Sequence, residues 1–167
     1  MIMNRNSFSV TKLDRTFGAL IEGIKISKIK EKEVEELYAL WLEHSLLVFK
    51  DQHLSTKEQI SFARLFGEME FDLSPISNLT KEGIVRDPLD DDIVKSLRGN
   101  MEWHHDSTYM PIQAKGSVFT AHKVPKVGGE TGWADMTASY KALDQTMKDK
   151  IDGLSAYHSY LYSQAKY

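Results

Sequence analysis

The chain has 167 residues, 41% of them hydrophobic, and a net charge of -3, the dimensions of one globular domain. Near-balanced charge without a long Lys/Arg block argues against a nucleic-acid partner and against a membrane-surface helix, and leaves a small molecule as the expected partner. No cysteine is present, so disulfides and thiolate metal sites are excluded and only His, Asp and Glu remain as metal ligands. The opening "MIMNRNSFSV" lacks the apolar core of a signal peptide, and no run approaches the roughly 20 apolar residues of a bilayer span. A cytoplasmic location is expected.

In chain order, "FSVTKLDRTFGALIEGIKIS" (8–27) has the β-branched and aromatic content and the glycines of short strands joined by turns, expected at a sheet edge. From Glu31, the spacing of Val34, Leu37, Tyr38 and Trp41 predicts a helix with one buried face. "LLVFK" (46–50) is a continuous apolar run, expected as a strand covered on both faces. A second helix is predicted over 55–67: Ser55 and Glu58 have capping-box spacing, Ile60, Ala63 and Phe66 share a face, and Gly67 ends it. Residues 80–100, with a proline, two glycines and Asp90, Asp91 and Asp92, read as a long mobile surface loop; the acidic cluster lacks the alternation of a calcium-binding loop. "GSVFTAHKV" (116–124) has strand composition, "PKVGGETG" (125–132) is a glycine turn, and Leu143, Met147, Ile151 and Leu154 keep a helical period that Gly153 brings to a close.

The segment "GNMEWHHDSTY" (99–109) carries the chemistry. In an extended strand His104 and Asp106 point to one side and His105 to the other. An imidazole and a carboxylate on one face are two corners of the 2-His-1-carboxylate triad that holds non-haem Fe(II). Six histidines among 24 acidic residues produce about one such pair by chance, so spacing alone leaves both readings open. His105 is expected on the reverse face of the strand, packed or supporting a ligand; Trp103 and Tyr109 read as core aromatics or pocket walls. His44, His53, His122 and His158 stand alone and receive no role. Phosphate-cradling, dinucleotide-binding, H-E-x-x-H and serine-nucleophile motifs are all missing from the sequence.

The order "ISN", "NMEWHHDSTY", "VPKVGGETGWADMTASYKALD", "GLSAYHSY", together with "HSLLVFKDQHLSTKEQISFARLFGE", resembles the taurine dioxygenase family of Fe(II)- and 2-oxoglutarate-dependent enzymes. The "WADMTASYKALD" portion leans towards its 2,4-dichlorophenoxyacetate dioxygenase branch. The resemblance spans nearly the whole chain and implies an α+β fold: a double-stranded β-helix, jelly-roll and cupin-like, with flanking helices. Its W-H-x-D strand falls on Trp103, His104, His105 and Asp106, which makes His104 and Asp106 the expected catalytic metal ligands. Its glycine turn falls on Gly128, Gly129, Glu130 and Thr131, where Thr131 would hydrogen-bond a 2-oxoglutarate carboxylate; Asn100 and Tyr109 would contact substrate.

The reaction implied consumes Fe(II)-bound 2-oxoglutarate and O2, releases succinate and CO2, and hydroxylates a small organic anion, either a sulfonate or an aryloxy or other carboxylate. Lys95 and Arg98 read equally as loop charges or anion contacts. Hydroxylation is expected over halogenation, because Asp106 occupies the position that halogenases leave to chloride. The family's second histidine and its 2-oxoglutarate arginine lie downstream of Tyr167, so residues 1–167 are expected to be the N-terminal part of one dioxygenase domain, with an incomplete barrel. Alone, the chain is expected to bind Fe(II) weakly, not to turn over, and to self-associate through unpaired strands as a homo-oligomer. The alternatives are a non-catalytic module that binds metal or pairs with a homologue, and a metal-dependent hydrolase or isomerase that uses no 2-oxoglutarate.

Overall fold

The structure, a computed structural model, describes residues 2–4 and 7–164. It divides into two compact units: residues 1–69 with 118–152, and residues 70–117 with 153–167.

In the first unit, strands β1 (Ile2–Asn4), β2 (Ser9–Lys12), β3 (Ala19–Glu22) and β4 (Leu47–Phe49) form one sheet in the order β1-β2-β3-β4. β1/β2 and β2/β3 are antiparallel, with Val10 opposite Ile21, while β3/β4 is parallel, with Ala19 opposite Leu47. Period-two alternation buries Ala19 and Ile21 and turns Glu22 to solvent. Two expectations change. β2 and β3 lie inside the sheet and not at its edge, and β4 ends the sheet among the described residues, which leaves Leu47, Val48 and Phe49 half-buried instead of covered.

The parallel pair needs a crossover, supplied by a short 3-10 turn at Ile26–Lys28 and helix α1 (Glu31–His44). α1 starts where the Glu33 carboxylate accepts the Lys30 N–H at 2.9 Å. It ends at Ser45, whose φ of 62° lets its N–H return to the Trp41 carbonyl. Its buried stripe is Leu37, Leu40 and His44, rotated from the predicted face, with Val34, Tyr38 and Trp41 on the shoulder. The His44 carbonyl accepts the Gly18 N–H at 2.9 Å, which ties the helix end to β3. Gly18 is required there: its φ is 93°, and an added Cβ would lie 2.8 Å from the Leu13 side chain.

Helix α2 (Thr56–Arg64) opens on the predicted capping box: the Glu58 carboxylate accepts the Ser55 N–H at 2.8 Å and Ser55 Oγ accepts the Glu58 N–H at 3.3 Å. The Ser55 hydroxyl bond to Glu58 holds that carboxyl below its usual 4.5. Gln59 and Phe62 form its buried face, and Ile60, Ala63 and Phe66 are half-buried. Phe62 meets the rings of Phe49 and Phe66, and Trp41 meets Phe66 edge-on. The core consists of Phe8, Val10, Ala19, Ile21, Ile24, Ile26, Leu37, Leu40, Leu54 and Phe62.

Residues 116–124 form no strand; Val118 packs on this core and its carbonyl accepts the Gln59 side-chain N–H at 3.0 Å. A buried amide has replaced the ladder that strand composition suggested. The last helical region is two helices, α4 (Met136–Ala142) and α5 (Gln145–Ile151), because Asp144 leaves helical dihedrals to cap α5 with a bond from the Met147 N–H.

In the second unit, the predicted loop 80–100 contains helix α3 (Asp92–Gly99). Asp91 is its N-cap, accepting the Ile93 and Val94 N–H groups and Arg86 Nη1 at 2.9 Å. The Arg86 bond, foremost, holds the Asp91 carboxyl below its usual 3.8. Asp87, similarly lowered by the Leu89 and Asp90 amides, closes the preceding turn, and Arg98 donates to the Pro88 carbonyl. Helix α6 (Tyr160–Gln164) completes the unit. None of the helices among the described residues is long and apolar enough to cross a membrane.

Candidate metal centre

Residues 99–110 are not a strand. A strand is a paired element, and no described strand pairs with this segment; residues 106–109 form a turn instead. His104 and Asp106 nevertheless meet, with Nε2 3.2 Å from Oδ1, and both are open to solvent. His104 Nδ1 lies 2.6 Å from the Glu102 carbonyl. A carbonyl only accepts, so Nδ1 carries a hydrogen, and Nε2 is the ring nitrogen turned to the carboxylate. A proton or a metal ion held between Nε2 and Oδ1 satisfies both atoms.

This arrangement fits a metal. Ligating imidazoles commonly donate their other N–H to a carbonyl, as His104 does to Glu102. Bonds of about 2.1 Å to one octahedral ion also set neighbouring ligand atoms about 3 Å apart. Among the described residues no group of three or more His, Cys, Asp or Glu gathers to hold a metal, so the pair accounts for two coordination positions and no more.

The surrounding residues depart from the strand reading. His105 Nδ1 lies 2.7 Å from the Asp106 carbonyl, to which it can donate, and the Gln113 side-chain nitrogen lies 3.0 Å from the same atom. His105 therefore braces the loop from within and packs on no reverse face. Trp103 is 76% exposed and is not a core aromatic. Tyr109 is also exposed and meets the Tyr160 ring at 5.2 Å. Asn100 is the exposed C-terminal cap of α3, its N–H bonded to the Leu97 carbonyl. Asn100, His104, Asp106 and Tyr109 belong to the second unit and Thr131 to the first.

Thr131 is exposed just after consecutive left-handed glycines, Gly128 and Gly129. A Cβ at Gly129 would lie 2.9 Å from the Pro125 ring, so the turn depends on glycine there. Sequence reasoning missed Ser107, which is buried, has φ of 60°, and donates to Glu70 at 3.3 Å. A shallow groove of about 490 Å³ lined by Ile29, Glu31, Val34, Glu35 and Leu65 contains none of these residues.

The taurine catabolism dioxygenase TauD, TfdA family model matches residues 9–166. The chain belongs to that family. A (S)-phenoxypropionate/alpha-ketoglutarate-dioxygenase of Sphingobium herbicidovorans is 52% identical over 161 residues, 96% of this chain and 56% of the relative. An alpha-ketoglutarate-dependent 2,4-dichlorophenoxyacetate dioxygenase of Cupriavidus pinatubonensis is 34% identical, over 89% of this chain and 57% of that protein. The crystal structure of AAD-2 in complex with Mn(II) and N-oxalylglycine superposes with a TM-score of 0.90 at 34% identity, over 95% of this chain and 58% of that one. The fold is thus the family's double-stranded β-helix type, and this member spans a little over half the length of these relatives.

Proposed function

We propose that residues 1–167 are the N-terminal part of a single Fe(II)/2-oxoglutarate-dependent dioxygenase domain, and that His104 and Asp106 supply two of its metal ligands. The observation that carries this reading is the His104 Nε2 to Asp106 Oδ1 approach of 3.2 Å with Nδ1 held by the Glu102 carbonyl. Family membership and the Mn(II) complex of AAD-2 support it. Bound iron would supply oxidative chemistry: 2-oxoglutarate and O2 become succinate and CO2, and one oxygen atom enters a substrate C–H bond.

The chain's own residues bind and orient. Asp106 contributes negative charge and His104 a neutral nitrogen, with the Glu102 carbonyl fixing the ring's tautomer. The Thr131 hydroxyl donates to a 2-oxoglutarate carboxylate, and Asn100 and Tyr109 line the approach of substrate. The substrate class is a small organic anion, first an aryloxy carboxylate, as named for the relatives above. Hydroxylation at the carbon bearing the ether oxygen gives a hemiacetal or hemiketal, which collapses to release the phenol.

The test uses the chain alone and the chain extended by the C-terminal remainder of the Sphingobium relative. Each is assayed for O2-dependent succinate against aryloxy carboxylates, sulfonates and sulfate esters. The extended protein is expected to respond to an aryloxy carboxylate and to lose that response in Asp106→Ala. The short chain should stay silent, since an unpaired 2-oxoglutarate carboxylate alone forfeits about 1.5–3 kcal/mol. A second reading, a non-catalytic module that binds metal or pairs with a homologue, draws on the exposed apolar side chains of α4 and α5, Met136, Tyr140 and Met147. Silence of the extended protein towards every anion, with metal binding intact, would favour it.

A further inference from the structure

Four non-glycine residues have left-handed φ among the described residues: Ser45, Asp51, His53 and Ser107. Ser45 ends α1. Asp51 and His53 flank Gln52, whose amide donates to the Ile24 and Lys50 carbonyls and accepts the Ile26 N–H. All three are exposed and structurally accounted for. Ser107 differs: it is 8% exposed, and it follows Asp106 directly.

An L-residue at this φ persists only where its surroundings over-determine it, and such positions gather at ligand clamps and active sites. Here the surroundings are visible. Ser107 Oγ donates to Glu70 Oε2 at 3.3 Å, the Ser107 carbonyl accepts the Met110 N–H at 3.0 Å, and the adjoining Asp106 carbonyl lies 2.7 Å from His105 Nδ1, which can donate to it. The chain therefore reverses immediately after Asp106, with the peptide on its C-terminal side held.

We infer that Ser107 is a positioning residue, its left-handed backbone and its bond to Glu70 holding the Asp106 carboxylate against His104 Nε2 before any cation binds. The inference rests on the metal-site reading of His104 and Asp106. Ser107 itself touches no reacting atom; it acts through Asp106.

The test compares Ser107→Gly, which adopts the same φ freely, with Ser107→Val, whose branched side chain disfavours it, and Glu70→Gln, which keeps an acceptor, with Glu70→Ala. Mn(II) is titrated into the full chain and read by pulsed EPR through the coupling of an imidazole nitrogen, with melting curves alongside. Ser107→Gly and Glu70→Gln should keep the coupling, while Ser107→Val and Glu70→Ala should weaken Mn(II) binding by roughly tenfold or more. Equal binding by wild type and Ser107→Val would overturn the inference. Should Ser107→Val melt out, the two Glu70 variants decide by the same criterion.

Failure of the wild type to bind Mn(II) in an Asp106-dependent way would refute the metal-site reading. The positioning claim is then judged without metal, from the His104 ring nitrogen signals in NMR. Those signals should stay at their wild-type positions in Ser107→Gly and Glu70→Gln and move in Ser107→Val and Glu70→Ala; no change in the latter pair would overturn it.

Discussion

All ten buried hydrophobic side chains belong to the first compact unit, between Phe8 and Phe62, whereas in the second unit Ser107 is the sole buried residue among those described. The two units are held by different physics. The first rests on apolar burial, worth about 1.5–3 kcal/mol for each large side chain. The second rests on hydrogen bonds that Arg86 and Arg98 donate and that Asp87 and Asp91 accept, most of them open to water. Such bonds bring little net stability, so the second unit should open locally at lower free energy than the first. The candidate metal ligands stand in this second unit, where a bound cation would add what packing does not.

The largest expected effect tests the packed side of the comparison. Leu37 is 0% exposed, and Leu37→Ala should cost about 3 kcal/mol in urea unfolding, against less than about 0.5 kcal/mol for exposed Trp103→Ala. Equal costs would erase the distinction between the units. Next comes Gln59→Ala, which strands the Val118 carbonyl and should cost about 1 kcal/mol, with faster hydrogen exchange around residue 118 and little change at α3.

Smaller still is an acid effect confined to the second unit. The Arg86 hydrogen bond holds Asp91, and backbone amides hold Asp87, below their usual 3.8. The folded values lie under the unfolded ones, so this contribution is complete above about pH 4 and is lost as pH falls through the folded values. Amide exchange at Ile93 and Val94, corrected for intrinsic rates, should therefore accelerate below that point. Asp91→Ala should abolish the pH dependence, and an unchanged profile in that variant would place the acid sensitivity elsewhere.

Helices α1 and α2 were legible because periodic apolar residues and a Ser55–Glu58 box act locally. Helix α3 was legible in principle: Asp91 before Ile93, Val94 and Leu97 is a cap followed by helical spacing, but the run of aspartates and glycines around it read as loop. The strands expected at 116–124 and through the histidine segment did not form, since composition shows only that a segment suits a ladder and pairing requires a neighbour. The approach of His104 to Asp106 does not need the strand from which it was expected, because residues two apart also meet across this turn. Ser107 and Gln59 left no signal. A left-handed serine has no compositional mark, and a buried amide is recognised only from the carbonyl it meets.

The most direct test of the central claim is an anaerobic titration of the extended protein with Fe(II) and 2-oxoglutarate, followed by visible absorption. Chelation of 2-oxoglutarate at an iron held by His104 and Asp106 predicts a weak charge-transfer band that disappears in Asp106→Ala and in His104→Ala while both variants keep the wild-type melting curve. A band of undiminished intensity in those variants would place the iron on other residues, and no band in the wild type would contradict the dioxygenase assignment itself.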